Sequence, residues 1–97
     1  MFATMRRYEG ITDPAEAGKR VGESFIPLIR DIEGFVTYYW VDHGDGVMVS
    51  CSVFEDRSGE EESTRRAKKW VEENAAELFP NPPEVTDGEV VAHGDRA

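Results

Sequence analysis

The feature that most constrains this chain is a pair of strand-like runs joined by a glycine-rich turn. Phe35 to Val41 and Val47 to Phe54 are rich in β-branched and aromatic residues, and His43-Gly44-Asp45-Gly46 supplies the flexible residues of a tight turn. The two runs therefore predict an antiparallel hairpin. What lies on either side must cover one of its faces.

Both flanks begin with a helix signal. Asp13-Pro14-Ala15-Glu16 places an N-cap residue, a proline at the first helical position and a glutamate suited to a capping box. Val21, Phe25, Leu28, Ile29 and Ile32 then recur at spacings of three and four, leaving Glu16, Lys19, Arg20, Glu23 and Arg30 for water. Gly18, Gly22 and Pro27 oppose helical propensity, and predict close approach to a sheet at the glycines and a kink at the proline. Gly34 suits a left-handed helix end. After the hairpin, Ser58-Gly59-Glu60-Glu61 reads as a second capping box with Ser58 as N-cap, and the helix is predicted over Glu60 to Phe79. Its inward face is Ala67, Trp70, Val71, Asn74, Ala75 and Leu78. The cations Arg65, Arg66, Lys68 and Lys69 stand at pairing distances from Glu60 to Glu62 and Glu72-Glu73, which predicts a solvated, ion-paired face. Pro80, Pro82 and Pro83 stop the helix. Phe2 to Tyr8 and Glu84 to His93 complete the set as first and last strands, with Gly94 to Ala97 expected to fray.

The order is strand, helix, strand, strand, helix, strand within 97 residues, enough for one hydrophobic core and so one domain over residues 1–97. The expected class is α+β: a ferredoxin-like four-stranded antiparallel sheet with both helices on one face. A turn centred on Gly44-Asp45 pairs Val41 with Met48, Tyr39 with Ser50, Thr37 with Ser52 and Phe35 with Phe54. That set would face away from the helices, with Val36, Tyr38, Trp40, Val47, Val49, Cys51 and Val53 beneath them. The open face would then be too apolar to stay exposed in a monomer, yet would carry hydroxyls, a pattern suited to a homodimer interface enclosing a small cavity.

A formal net charge of −9 opposes binding to nucleic acid or to anionic membrane surfaces. No apolar run approaches the roughly 20 residues of a membrane span, and Met1 leads into a charged strand, so the expected location is the cytoplasm. The lone Cys51 reads as a small strand hydrophobe. Asp42, His43 and Asp45 match no calcium loop and are explained by turn chemistry, so no metal is expected. No Ser-His-Asp order, phosphate loop or paired cysteine motif is present. Arg6 and Arg7 alternate faces on the first strand, so one of them is drawn away from solvent. There it would hold an anionic or phenolate oxygen, or pair with a glutamate.

In its opening strand Phe2 to Tyr8, its junction Ile29-Arg30-Asp31-Ile32-Glu33-Gly34-Phe35, its Val53-Phe54-Glu55-Asp56 and its late Gly88-Glu89-Val90-Val91, the chain resembles the antibiotic biosynthesis monooxygenase domains of the dimeric α/β-barrel superfamily. The resemblance implies a homodimer with a ligand cavity and, in some relatives, oxidation of phenols or quinols without a cofactor. The haem-degrading branch carries a histidine on its second helix; Glu60 to Phe79 has none, so no cofactor is expected. With the face assigned above, the expected ligand-binding residues are Arg6, Phe35, Thr37, Tyr39, Ser50 and Phe54, around a small apolar or aromatic ligand. A non-catalytic ligand-binding or structural dimer is the alternative.

Overall fold

The computed structural model describes residues 1–96. β1 (Phe2–Tyr8) is followed by α1 (Pro14–Arg20), a π-helical turn (Val21–Phe25), α2 (Ile26–Arg30), β2 (Phe35–Gly44), β3 (Val47–Phe54), α3 (Arg57–Asn74) and β4 (Glu84–Glu89). The strands form one antiparallel sheet in the order β2-β3-β1-β4. This is the ferredoxin-like α+β arrangement that the element order predicts.

The helical boundaries follow local chemistry. Asp13 caps α1, its Oδ1 accepting the Glu16 N–H at 3.1 Å. Pro27 has no N–H and its ring would crowd the carbonyl four residues back. One turn earlier the helix widens, with the Ile26 N–H reaching the Val21 carbonyl, so the disturbance takes the form of a π turn rather than a break. Gly34, at φ +86°, closes the segment, and its carbonyl accepts the Glu55 N–H at 2.7 Å.

α3 starts three residues earlier than the sequence predicts. Asp56, not Ser58, is its N-cap: Asp56 Oδ1 accepts the Gly59 N–H at 3.0 Å, and Ser58 donates its hydroxyl to the same oxygen at 2.8 Å. Hydrogen bonding from Ser58 and Gly59 holds the Asp56 carboxyl below the usual carboxylate range. α3 also ends at Asn74, an exposed residue, after which Ala75, Leu78 and Phe79 turn back into the core. β4 ends at Glu89, although the Val90 N–H still bonds the Met1 carbonyl at 2.8 Å. Of the expected frayed end, Gly94 to Arg96 have no regular structure, and residue 97 lies outside the described residues.

The hairpin register corrects the predicted faces. β2 pairs Thr37 with Val53, Tyr39 with Cys51, Trp40 with Ser50 and Val41 with Val49, with irregularities at Val36 and His43. Each bulge inserts one unpaired residue, and a one-residue offset exchanges the faces of a strand relative to its partner. Met48, Ser50, Ser52 and Phe54 consequently lie beneath the helices, buried beside Thr4, Arg6 and Tyr8 of β1. Phe35, Tyr38 and Trp40 pack against the same core. Val47, Val49, Cys51 and Val53, expected inside, are half-buried on the outer face with Thr37, while Tyr39, Val41 and Met5 there are exposed. Val36, also expected inside, is exposed at its bulge.

The core joins the sheet to both helical layers. Tyr8 packs on Trp40 and Phe79 at 5.6 and 5.1 Å, and Phe25 on Tyr38 and Trp70 at 5.6 and 5.3 Å. Phe54, fully buried, contributes on the order of 1.5–3 kcal/mol by its burial. Its neighbour Gly59 is as close as a residue can come: a Cβ there would lie 2.8 Å from Phe54 Cδ1 and 3.1 Å from the Glu33 carbonyl.

Candidate functional site

β1 sends alternate residues beneath the helices, so Thr4, Arg6 and Tyr8 share one face. Placing a guanidinium there is costly unless it is bonded. Arg6, 5% exposed, donates from Nη2 to Thr64 Oγ1 at 2.6 Å. The Thr64 hydroxyl lies 3.3 Å from Glu60 Oε1 and 3.2 Å from the Glu60 carbonyl, and Thr4 donates its hydroxyl to Glu60 Oε1 at 2.7 Å. Thr4, Glu60, Thr64 and Arg6 thus form one chain of hydrogen bonds from the sheet to α3 and back.

This chain ends in a cleft of about 380 Å³ between α3, β1, β4 and the proline segment. Tyr8, Val71 and Phe79 form its apolar wall; Arg6 and Thr64 are polar groups within it, and the exposed Lys68 and Glu72 stand at its edge. Behind it, a second space of about 20 Å³, enough for one water-sized molecule, lies among Arg6, Tyr8, Tyr38, Trp40, Ser50 and Trp70. An apolar cleft with a few convergent polar groups is the usual form of a small-molecule site.

Burial pushes the phenols of Tyr8 and Tyr38 above the ordinary tyrosine value, against the pull of Arg6. Both are neutral at physiological pH and able to donate hydrogen bonds. Trp40 Nε1 and Ser52 Oγ are buried without a partner, each at a cost of about 1–3 kcal/mol. A larger groove of about 560 Å³ lies between α2 and α3, but its cations are already matched: Arg65 and Arg66 pair with Glu62, and Lys69 with Glu73.

Of the residues expected to bind a ligand, Arg6 lines the cleft, and Ser50, its partner across the sheet, lines with it only the small space behind. Phe35 and Phe54 are on the same side of the sheet but pack on each other at 5.6 Å, outside both cavities. Thr37 and Tyr39 are on the opposite face, where Tyr39 is 62% exposed. The expectation missed Tyr8, Thr64, Val71 and Phe79. The alternation Thr4-Arg6-Tyr8 was the available signal for Tyr8; nothing local marks the others. Among the described residues, no three His, Cys, Asp or Glu side chains are placed to share a metal ion, and no helix is long and apolar enough to cross a membrane.

No protein-family model and no curated protein matches the sequence. Solved structures do. A protein of unknown function from Nitrosomonas europaea superposes with a TM-score of 0.80 at 22% identity, covering 99% of this chain and 94% of its own. A monooxygenase of Streptomyces coelicolor, in complex with nanaomycin D, has a TM-score of 0.74 at 14% identity, over 99% of this chain and 92% of its own. SnoaB, a cofactor-independent oxygenase of Streptomyces nogalater, has 0.73 at 15% identity, over 95% and 94%.

Proposed function

We propose that this chain, which has the fold of the antibiotic biosynthesis monooxygenase-like proteins, binds a phenolic aromatic molecule in the cleft beside Arg6 and oxidises it with dioxygen without a cofactor. The observation that carries the reading is the buried guanidinium of Arg6 in an aromatic and apolar cleft open to solvent. A cation in such a site stabilises the phenolate over the phenol. The electron-rich phenolate ring donates an electron to dioxygen; the ring carbon then forms the new C–O bond, and water leaves. For a naphthol with a free ring position the balance is one naphthol and one dioxygen to one quinone and one water. Tyr8 and Tyr38 act as neutral donors that orient the oxygens.

The test is oxygen uptake in metal-free buffer with a panel of naphthols and quinols, the quinone being identified by mass. One dioxygen consumed per quinone is expected, with turnover lower by on the order of a hundredfold in Arg6→Gln. No uptake with any member, together with no saturable binding, removes the reading. Binding without uptake would leave a non-catalytic ligand-binding protein. That second reading is favoured by burial holding the Tyr8 and Tyr38 phenols in their protonated form, so neither serves as a general base.

The working unit in this proposal is a homodimer formed through the outer face of the sheet. Met5, Tyr39 and Val41 are exposed there beside the half-buried Val47, Val49, Cys51 and Val53, an apolar surface that pairing would remove from water.

A further inference from the structure

We propose that Glu60 and Thr64 are positioning residues of the cleft: through the Thr64 hydroxyl they hold Arg6 as an anion receptor and set its preference for an ionised ligand over a neutral one. The proposal rests on the reading of the cleft as a small-molecule site and adds residues on α3 that act through Arg6.

The Thr64 hydroxyl has a single proton to donate. Thr64 Oγ1 accepts from Arg6 at 2.6 Å, so its own single proton is directed to Glu60, whose Oε1 and carbonyl oxygen lie at 3.3 and 3.2 Å. Glu60, 8% exposed, is also bonded by the fully buried Thr4 at 2.7 Å. Its carboxylate is therefore bonded by two hydroxyls rather than by the guanidinium, and Arg6 makes no ion pair among the described residues. A buried Arg beside a buried Glu ordinarily closes into a direct pair. Here the hydroxyl keeps them apart, so Arg6 retains most of its charge and several N–H donors for a ligand. Thr64 lines the cleft, so the arrangement is set at the ligand's edge.

Glu60→Gln and Thr64→Val then act in opposite directions. The first removes the counter-charge and keeps an acceptor for Thr4; the second removes the spacer and lets the guanidinium close on Glu60. The measurement is the dissociation constant of 2-hydroxy-1,4-naphthoquinone, a vinylogous acid ionised at neutral pH, against its neutral methyl ether, by fluorescence quenching on the full chain. The anion-to-neutral preference should rise about tenfold in Glu60→Gln, the scale expected for removing one partly screened charge. It should fall by a similar factor in Thr64→Val and return in Thr64→Ser, the affinity for the anion changing more than that for the ether. Parallel changes for both probes, or an unchanged preference in Glu60→Gln, would mean that the two residues only support the fold, and overturn the proposal. Binding of neither probe to the wild-type chain is a different failure: it removes the cleft reading itself, and the positioning role with it.

Discussion

Replacing Gly59 by alanine should destabilise the protein, although the same change in an open helix stabilises it. Gly59 sits in the first turn of α3 without a positive φ, so backbone conformation raises no objection, and helix propensity alone favours alanine by about 1 kcal/mol. Packing opposes it. The added Cβ would lie 2.8 Å from Phe54 Cδ1, where carbon atoms normally rest about 3.5–4.0 Å apart. The Phe54 ring has no room to retreat, being 0% exposed and edge-packed on Phe35, and the Glu33 carbonyl at 3.1 Å blocks the other direction. Overpacking of this kind costs about 1–3 kcal/mol. Set against the propensity gain of about 1 kcal/mol, the net loss is up to about 2 kcal/mol. In a domain of this size each kcal/mol lowers the melting temperature by about 4–8 °C. Gly22→Ala is the control: nothing lies within 4 Å of a Cβ there, and a gain of about 0.4–1 kcal/mol is expected. Thermal and urea unfolding followed by circular dichroism would compare the two. Gly59→Ala melting at or above wild type, or both variants shifting the same way, would refute the packing argument.

Two further outcomes are expected. Because burial raises the Tyr8 and Tyr38 phenols above their unfolded value, their contribution to stability is complete below about pH 10 and is lost as the pH rises further, since the unfolded chain then releases protons that the folded chain retains. Alkaline unfolding should move upward in Tyr38→Phe; phenolate absorbance from both residues appearing while the far-ultraviolet dichroism is intact would contradict this. On the outer face, Val41→Glu combined with Tyr39→Lys should give a folded monomer where the wild-type chain sediments as a dimer. A wild-type mass equal to one chain at micromolar concentration would rule out the dimer.

Most of the architecture was legible because its signals are local. Asp13-Pro14, Gly34, the proline run and the hairpin glycines each act within a few residues. The register was not, because it depends on bulges at Val36 and His43 that no residue type there demands. Composition misleads as well. Val47, Val49, Cys51 and Val53 are the more uniformly apolar set on β3 and by composition predict the core face, whereas Ser50 and Ser52 are the buried ones. Ser50 lines the small space beside Arg6, whereas Ser52 Oγ is buried without a partner. The same nonlocality hid the cleft: Thr64 meets Arg6 across 58 positions. At α3 two good capping residues competed, and Asp56 prevailed because Ser58 can donate its hydroxyl to it.

The π turn has a consequence for how this helical arm tolerates change in length. Its buried positions Ala17, Val21, Phe25 and Ile29 recur every fourth residue. In an uninterrupted α-helix with 3.6 residues per turn, each such step drifts by about 40°, so Ile29 would stand about 120° out of phase with Ala17. The widened turn at Val21–Phe25 takes up part of that drift, so α1 and α2 address the same sheet. The arm is in effect a helix carrying one surplus residue. Deleting Gly22 or Glu23 would restore regular hydrogen bonding and leave Ala17 and Val21 each within about 20° of the direction of Ile29, so a regular helix one residue shorter would still present them to the core.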